Sequence, residues 1–175
     1  MPLSGDAKRR AARIELLIWD VDGVLTSGGI TYDASGGELK TFNVLDGAAI
    51  RRLQQVGIAS AIITGRESAA VARRAEELGI ELLFQGRGDK TGALQEIFNR
   101  TGLPREAVAH CGDDLPDLAL FDAVGFAFSV PNGHPTVRRA ADYVTTTTGG
   151  AGVAREIEEL LLRARGEWTI DAGTG

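Results

Sequence analysis

The sequence predicts an α/β fold in which a Rossmann-like parallel sheet is flanked by helices. Short apolar runs alternate along the chain with stretches of helical periodicity, and most of the apolar runs are continuous. Continuous apolar strands are typical of parallel sheets covered on both faces, and their alternation with helices favours crossover connections. With 175 residues, we expect one domain over residues 1–175, with flexible tails at 1–13 and 167–175.

The strand candidates are residues 14–19, 58–63, 81–84, 107–110 and 124–127, with a weaker one at 143–144. Helical faces lie between them, and a last helix is expected over residues 153–165. Gly57, Gly79 and Gly102 each follow a helical stretch, where a glycine in the left-handed conformation ends a helix. Residues 29–43 break this rhythm: two short apolar segments enclose the turn-forming residues 33–37, which predicts a protruding β-hairpin.

Composition excludes several function classes. The net charge is −5 without a basic stripe, so nucleic acid is not an expected partner. Apolar runs are too short to cross a bilayer, and the basic first residues lack the apolar core of a signal peptide, which predicts a cytoplasmic protein. Cys111 is the single cysteine of the sequence, so no internal disulfide forms, and its small neighbours predict a buried thiol.

Polar residues follow the predicted strands where each strand ends. Asp20 and Asp22 follow the first strand, Thr64-Gly65-Arg66 the second, and residues 112–117 the fourth. Lys90 opens the helix after the third strand. Because ligands of open parallel sheets bind at the carboxyl ends of the strands, we expect these groups to converge on one rim.

Clustered carboxylates repel one another and are tolerated where a hard cation takes their oxygens, which predicts a magnesium site. The candidate metal set is Asp20, Asp22, Asp113 and Asp117. Asp20 and Asp113 are expected as direct ligands and Asp22 through its carbonyl oxygen, whereas Asp117 orients a water or Lys90. A phosphoryl group drawn to the metal needs further donors. The substrate-binding candidates that supply them are Gly23, Thr64, Gly65, Arg66 and Lys90.

The spacing of two acids predicts how they divide the chemistry. Residues i and i+2 at a strand end point the same way, so Asp20 and Asp22 can face one phosphate. Asp20 is the candidate nucleophile, and Asp22 protonates the departing alcohol and later deprotonates the attacking water. Thr64 and Lys90 complete the catalytic set by stabilising the equatorial oxygens.

Structural alternatives stand beside several of these roles. Thr64 could cap a helix that begins near Glu67, and Arg66 could pair with a surface carboxylate. Asp114 and His134 are interpreted as helix-start residues, with a substrate or interface role left open for His134. Trp168 is expected either to be disordered or to dock on a partner subunit.

Four segments resemble the motifs of the haloacid dehalogenase-like hydrolases: residues 20–24 (DVDGV), residues 62–66 (IITGR), Lys90 and residues 112–117 (GDDLPD). Over about residues 14–166 the chain is similar to the capless phosphatases of eight-carbon ulosonate phosphates. That resemblance implies a magnesium-dependent homotetramer in lipopolysaccharide precursor synthesis, without a cap domain, in which the hairpin and a neighbour's segments close each active site. Relatives usually carry arginine where this chain has Leu45, a position that the resemblance links to reading the acidic sugar.

Two other functions remain open at this point. A nine-carbon ulosonate phosphate or another sugar phosphate could be the substrate, since related phosphatases act on such compounds. A noncatalytic oligomerisation module of the same fold is the alternative from another class. Such a module would be expected to lack one of Asp20, Asp22, Lys90 and Asp113, and all four are present.

Overall fold

The computed structural model describes residue 3 and residues 5–169, and its centre is a six-stranded parallel sheet. The strands, in spatial order, are β5 (Leu82–Phe84), β4 (Ala59–Ile63), β1 (Leu16–Trp19), β6 (Val108–Cys111), β7 (Phe126–Ser129) and β8 (Tyr143–Val144). Each neighbouring pair is parallel. The predicted fold class is therefore confirmed.

Seven α-helices precede, connect or follow the strands of the described part of the chain: α1 (Gly5–Ala11), α2 (Val44–Gln55), α3 (Ala69–Leu78), α4 (Lys90–Thr101), α5 (Leu118–Phe121), α6 (Pro135–Ala140) and α7 (Val153–Arg165). They cover the sheet on both faces. Leu17 and Trp19 of β1 point into a core shared with α2 and α7, and Leu16 and Ile18 point into a core shared with α4. Burial on both faces explains why the β1 sequence is apolar throughout.

Helix ends agree well with the sequence, and strand ends less so. The last helix has the predicted bounds, and α3 and α4 end at Gly79 (φ 66°) and Gly102 (φ 68°) in the left-handed conformation. Strand β1 begins two residues later than predicted, and β7 is displaced by two residues toward the carboxyl end. The displacement follows from register, because Ala109 of β6 pairs with Phe126 rather than with Val124.

The predicted hairpin is present between β1 and α2. Its strands are β2 (Thr31–Tyr32) and β3 (Glu38–Leu39), which pair antiparallel. The Asp33 carboxylate orders the turn by accepting hydrogen bonds from the Ser35 and Gly37 N–H groups, both at 2.8 Å. Tyr32 and Leu39 on the hairpin remain more than half exposed, at 61% and 54%. Within residues 5–169 the hairpin is the only insertion beside the site, and no cap domain is present there.

Buried acidic groups join α2 to α7. The Asp46 carboxylate accepts a hydrogen bond from the Ala154 N–H at 2.7 Å, while its other oxygen, Oδ2, is buried without a donor. Burial raises the pKa of Asp46 to about 6. Glu158, which is fully buried, forms ion pairs with Arg155 at 2.8 Å and Arg52 at 3.3 Å. The amino end of α7 is thus fixed to the first turn of α2.

The two ends of the described chain pack on the domain. Helix α1 contacts α7, and Ala11 is fully buried. The Trp168 ring lies 5.1 Å from the guanidinium carbon of Arg52 and 5.4 Å from that of Arg163. Docking of Trp168 on a partner subunit stays a prediction, and residues 170–175 of the expected tail lie outside the described residues. No helix in the described chain has the length and apolar character needed to span a bilayer.

Candidate active site

Asp20 stands at the carboxyl end of the central strand β1, and its N–H donates to the Cys111 carbonyl of β6 at 3.0 Å. The chain then makes a wide turn over Val21–Leu25, inside which Gly23 has a φ of 96°. A Cβ at Gly23 would lie 2.1 Å from Asp113 Oδ2, closer than any side chain permits. Glycine at this position therefore serves two needs, a left-handed turn and the close approach of a carboxylate.

A single amide holds the turn from the other side. Asn132 Nδ2 donates to the Gly23 carbonyl at 2.9 Å, and Asn132 Oδ1 accepts from the Gly149 N–H at 2.8 Å. Gly149 packs so tightly that a Cβ there would meet the Gly23 carbonyl oxygen at 1.8 Å. The loop after β8 thus completes the wall of the site.

Asp117 is the most fully hydrogen-bonded acid of the cluster. Its Oδ1 accepts from Lys90 Nζ at 2.7 Å and lies 2.8 Å from His110 Nε2. Its Oδ2 accepts from the backbone N–H groups of Asp113 at 3.0 Å and Asp114 at 3.1 Å. The Asp114 side chain accepts in turn from the Asp117 N–H in a capping box, which confirms its interpretation as a helix-start residue.

Lys90 enters the cluster from the first residue of α4. Asp89 caps this helix by accepting from the Thr91 N–H at 3.0 Å, which directs Lys90 toward the sheet. Lys90 Nζ bridges Asp20 Oδ1 at 2.9 Å and Asp117 Oδ1 at 2.7 Å. Burial alone would lower the pKa of Lys90, but the two carboxylates outweigh it and raise that pKa. The ammonium group is therefore charged.

The electrostatics of the three acids differ in direction. Burial raises the pKa of Asp113 to about 8, and the charges of Asp20 and Asp117 add to this. Burial also raises the pKa of Asp20, although Lys90 opposes it. At Asp117 burial acts in the same sense, but hydrogen bonds and charge from His110 and Lys90 outweigh it and hold the pKa below its usual range.

The donor set fits a divalent cation. One carboxylate oxygen each of Asp20, Asp113 and Asp117 lies within 4.8 Å of the others. Asp113 Oδ1 is buried without a hydrogen-bond donor, which is costly unless a ligand completes it. Lys90 offsets one negative charge, and oxygen-only donors are those that Mg²⁺ prefers. These residues therefore offer the oxygen donors that a magnesium ion prefers, and their excess negative charge is the charge that the ion would neutralise.

Thr64 lies at the end of β4, next to β1, and is buried. Its N–H donates to the Phe84 carbonyl at 2.9 Å, and its carbonyl accepts from the Arg87 N–H at 3.2 Å. Helix α3 begins at Ala69 with Ser68 at the N-cap. The alternative in which Thr64 caps this helix is wrong, because the helix starts too far along the chain.

Asp22 and Arg66 lie at the mouth of the site rather than in the carboxylate cluster. The Asp22 side chain forms an ion pair with Lys40 of the hairpin, and its Oδ2 lies 3.7 Å from Arg66 Nε. Arg66 also pairs with Glu38 of the hairpin, and its side chain is 41% exposed. The structure thus brings Asp20, Lys90, Asp113 and Asp117 into one cluster and keeps the Asp22 carboxylate outside it. Gly65 joins Thr64 to Arg66 on the same rim.

Sequence reasoning missed His110, Asn132 and Lys40. His110 is fully buried between the Ile18 carbonyl, 3.2 Å from Nδ1, and Asp117. A histidine in an otherwise apolar buried strand was the available signal. The contacts of Asn132 and Lys40 join distant segments and had no local signal. His134 is the N-cap of α6 and accepts from the Thr136 N–H at 3.2 Å, which confirms its helix-start interpretation.

A parallel α/β sheet that gathers acids and a buried lysine at the ends of its central strands is typical of magnesium-dependent phosphoryl-transfer enzymes. A sequence profile described as haloacid dehalogenase-like hydrolase matches residues 83–157. A 3-deoxy-D-manno-octulosonate 8-phosphate phosphatase of Escherichia coli (strain K12) is 43% identical over 166 residues, covering 95% of this chain and 88% of that protein.

Solved structures agree with the sequence comparisons. The 3-deoxy-D-manno-octulosonate 8-phosphate phosphatase of Yersinia pestis has a TM-score of 0.92 at 43% identity, covering 94% of this chain and 89% of its own. The same phosphatase from Moraxella catarrhalis, in complex with a magnesium ion, a phosphate ion and a KDO molecule, has a TM-score of 0.89 at 46% identity and 92% coverage of each chain. The chain therefore belongs, within the haloacid dehalogenase-like hydrolases, to the family of these octulosonate phosphatases.

Proposed function

We propose that this protein is a magnesium-dependent phosphatase that hydrolyses 3-deoxy-D-manno-octulosonate 8-phosphate to 3-deoxy-D-manno-octulosonate and phosphate. The observation that carries the proposal is the buried cluster in which Lys90 bridges Asp20 and Asp117 while Asp113 keeps an oxygen without a donor. Such a cluster has a place for a cation and, next to it, for the phosphate that the cation attracts.

Asp20 and Asp113, with the carbonyl oxygen of Asp22, are the groups that hold the metal in this proposal. When bound, Mg²⁺ neutralises negative charge on the phosphoryl oxygens and lowers the repulsion between the two carboxylates. Asp117 belongs to the same cluster, but both of its oxygens already accept hydrogen bonds within the protein. Its role is therefore to hold Lys90 and the loop that carries Asp113.

Asp20 is the nucleophile. One of its oxygens attacks phosphorus, the bond from phosphorus to the sugar oxygen breaks, and an aspartyl phosphate forms. Lys90, already within 2.9 Å of Asp20, donates to an equatorial phosphoryl oxygen as charge develops there. Thr64, Gly23 and the Gly65-Arg66 backbone line the same rim and supply further donors in this proposal.

Asp22 is the general acid and base. In the first step its proton goes to the departing sugar oxygen, so that an alcohol rather than an alkoxide leaves. In the second step the Asp22 carboxylate takes a proton from the water that attacks the aspartyl phosphate, and the bond from phosphorus to Asp20 breaks. Both proton transfers require the Asp22 side chain to face the mouth of the site, and its ion pairs with Lys40 and Arg66 support this orientation.

The substrate assignment rests on the relatives and on the charge at the mouth. The relatives from Yersinia pestis and Moraxella catarrhalis described above are both phosphatases of the same octulosonate phosphate. Arg66, with its half-exposed guanidinium group at the rim, is a suitable contact for an acidic sugar. Leu45 is 48% exposed at the start of α2, and an apolar side chain there keeps a nine-carbon ulosonate phosphate as the second candidate.

The active unit in this proposal is a cytoplasmic homotetramer with the hairpin in its interface, acting in lipopolysaccharide precursor synthesis. The hairpin exposes Tyr32 and Leu39 on its two strands and Ile30 just before the first of them, and these strands have no further pairing partner in the described chain. Exposed apolar strands of this kind are stabilised by pairing with another chain. Without a cap domain, a neighbouring subunit is also the available cover for the site.

The substrate is tested by measuring phosphate release from eight-carbon and nine-carbon ulosonate phosphates and from simple hexose phosphates, with Mg²⁺ and with a chelator. We expect the highest kcat/KM for the eight-carbon ester, and no turnover in the chelator. The Asp20→Asn variant is the control for contaminating phosphatases. Equal rates on all esters would contradict the substrate assignment, and full activity in the chelator would contradict the metal site.

The assembly is tested by sedimentation at micromolar protein. Tyr32→Ser combined with Leu39→Ser should shift the tetramer toward smaller species because the pairing strands lose apolar contact area. Val56→Ser, at an exposed apolar position away from the hairpin, is the matched control. A fully active wild-type monomer would refute the tetramer.

A further inference from the structure

Four charged side chains form a closed ring at the mouth of the site, here called the rim ring: Asp22, Lys40, Glu38 and Arg66. Lys40 pairs with Asp22 and lies 3.5 Å from Glu38, and Arg66 pairs with Glu38 and lies 3.7 Å from Asp22. Acids and bases alternate around the ring, so its net charge is zero. Two members come from the hairpin and two from the loops after β1 and β4.

Lys40 is the most buried member of the rim ring. Its side chain is only 2% exposed, compared with 22% for Asp22 and 41% for Arg66. Burying an ammonium group is costly unless it is paired, so the position of Lys40 is determined by its two carboxylate partners. Lys40 is therefore an ordered group beside a reacting one, and the reaction steps described above give it no role.

The contacts of Asp22 distinguish its two oxygens. Oδ1 accepts from Lys40, whereas Oδ2 has the looser approach of Arg66 Nε at 3.7 Å. Lys40 and Arg66 are the two cations within ion-pair range of Asp22 in the described chain. Holding Oδ1 fixes the side-chain rotamer and leaves Oδ2 as the oxygen that can exchange a proton with the leaving group.

We infer that Lys40 is a positioning residue for the general acid and base, holding the Asp22 carboxyl group so that Oδ2 faces the sugar oxygen. The inference rests on the proposed phosphatase function and adds a residue to it. The ammonium group of Lys40, a residue of the hairpin, fixes the orientation of the Asp22 carboxyl group. Misplacement of a catalytic group by about 1 Å can lower a rate about 100-fold.

Two esters with different leaving groups separate positioning of the acid from general damage. A sugar alkoxide needs a proton as it leaves, whereas 4-nitrophenolate is a stable anion that leaves without one. The ratio kcat/KM reports the steps through departure of the leaving group and excludes the later hydrolysis of the aspartyl phosphate. Lys40→Met keeps a side chain of similar length and removes its charge.

The experiment compares kcat/KM of wild type and Lys40→Met on 3-deoxy-D-manno-octulosonate 8-phosphate and on 4-nitrophenyl phosphate. We expect a loss of about 10- to 100-fold for the sugar ester and less than about 3-fold for the aryl ester. Lys40→Arg, which keeps a cation, should recover part of the sugar-ester rate. Lys8→Met on the exposed face of α1 is the matched control and should change neither rate.

Folding is checked through the melting temperature and its increase on adding Mg²⁺, both of which Lys40→Met should retain. Equal losses on the two esters would overturn the inference, since a purely structural defect lowers both. Unchanged rates on both esters would overturn it as well. Turnover of the sugar ester by the wild type tests the proposed function. The ratio of kcat/KM between Lys40→Met and wild type tests the role of Lys40, so a failure of the function and a failure of the inference are distinguishable.

Discussion

Asp46 is expected to make the stability of this protein fall as the pH rises. The carboxyl group is 3% exposed, and burial raises its pKa from 3.8 to about 6. The folded state therefore keeps the Asp46 proton up to higher pH than the unfolded state does. The stabilising contribution is complete below the unfolded pKa and is lost as the pH rises through the folded pKa.

The magnitude follows from the shift. One pKa unit corresponds to about 1.4 kcal/mol, so a shift of about two units lowers the free energy of unfolding by about 3 kcal/mol near pH 7.5. Near pH 5 this destabilisation is about half as large, because the Asp46 carboxyl group of the folded state is still protonated and carries no buried charge. Asp46→Asn removes the titration, and its amide oxygen can still accept from the Ala154 N–H, as Oδ1 does.

Urea unfolding of wild type and Asp46→Asn, at one protein concentration and one Mg²⁺ concentration, measures this effect. The difference in free energy of unfolding should move by about 1.5 kcal/mol in favour of the variant between about pH 5 and about pH 7.5. Asp6→Asn, at an exposed position on α1, is the control and should stay within about 0.5 kcal/mol. Two pH profiles that run parallel for wild type and Asp46→Asn would refute the reasoning.

Further predictions concern the site itself. Asp20→Asn should abolish turnover with an unchanged melting temperature, and Asp22→Asn should lower kcat about 10²- to 10⁴-fold; wild-type rates in either variant would exclude its proposed role. Gly23→Ala should lose the stabilisation by Mg²⁺ in thermal unfolding, because its Cβ would lie 2.1 Å from Asp113 Oδ2. Since burial raises the pKa of Asp113 to about 8, binding Mg²⁺ must displace a proton below that pH, so calorimetry should show affinity increasing up to about pH 8. Affinity that is constant with pH would contradict this protonation state.

Elements with a strong local signal were predictable from the sequence. The bounds of α7 follow from its periodicity and flanking glycines, and convergence of Asp20, Lys90 and Asp113 follows from the carboxyl ends of parallel strands. The ends of β7 were not predictable, because pairing with β6 determines them. The apolar run already begins at Val124, two residues before the first paired residue, Phe126.

The parts of the site that escaped prediction depend on contacts between distant residues. Lys40 reaches Asp22 only because the hairpin folds back on the rim, and its sequence neighbourhood resembles an ordinary amphipathic strand. The predicted contact of Asp117 with Lys90 is present, but the spacing within residues 112–117 does not indicate that the other Asp117 oxygen accepts from the Asp113 and Asp114 N–H groups. Such pairings arise from tertiary packing, which short-range patterns do not encode.

The amide of Asn132 has a consequence for the order in which the site can form during synthesis. This amide joins the Gly23 carbonyl to the Gly149 N–H. Gly149 packs against the turn that contains Gly23, with no room for a side chain. A nascent chain that has released only its first hundred residues already contains Asp20, Asp22 and Lys90. It still lacks Asp113 and the wall behind Gly23, so the emerging polypeptide acquires its affinity for magnesium only when the last third of the chain has left the ribosome.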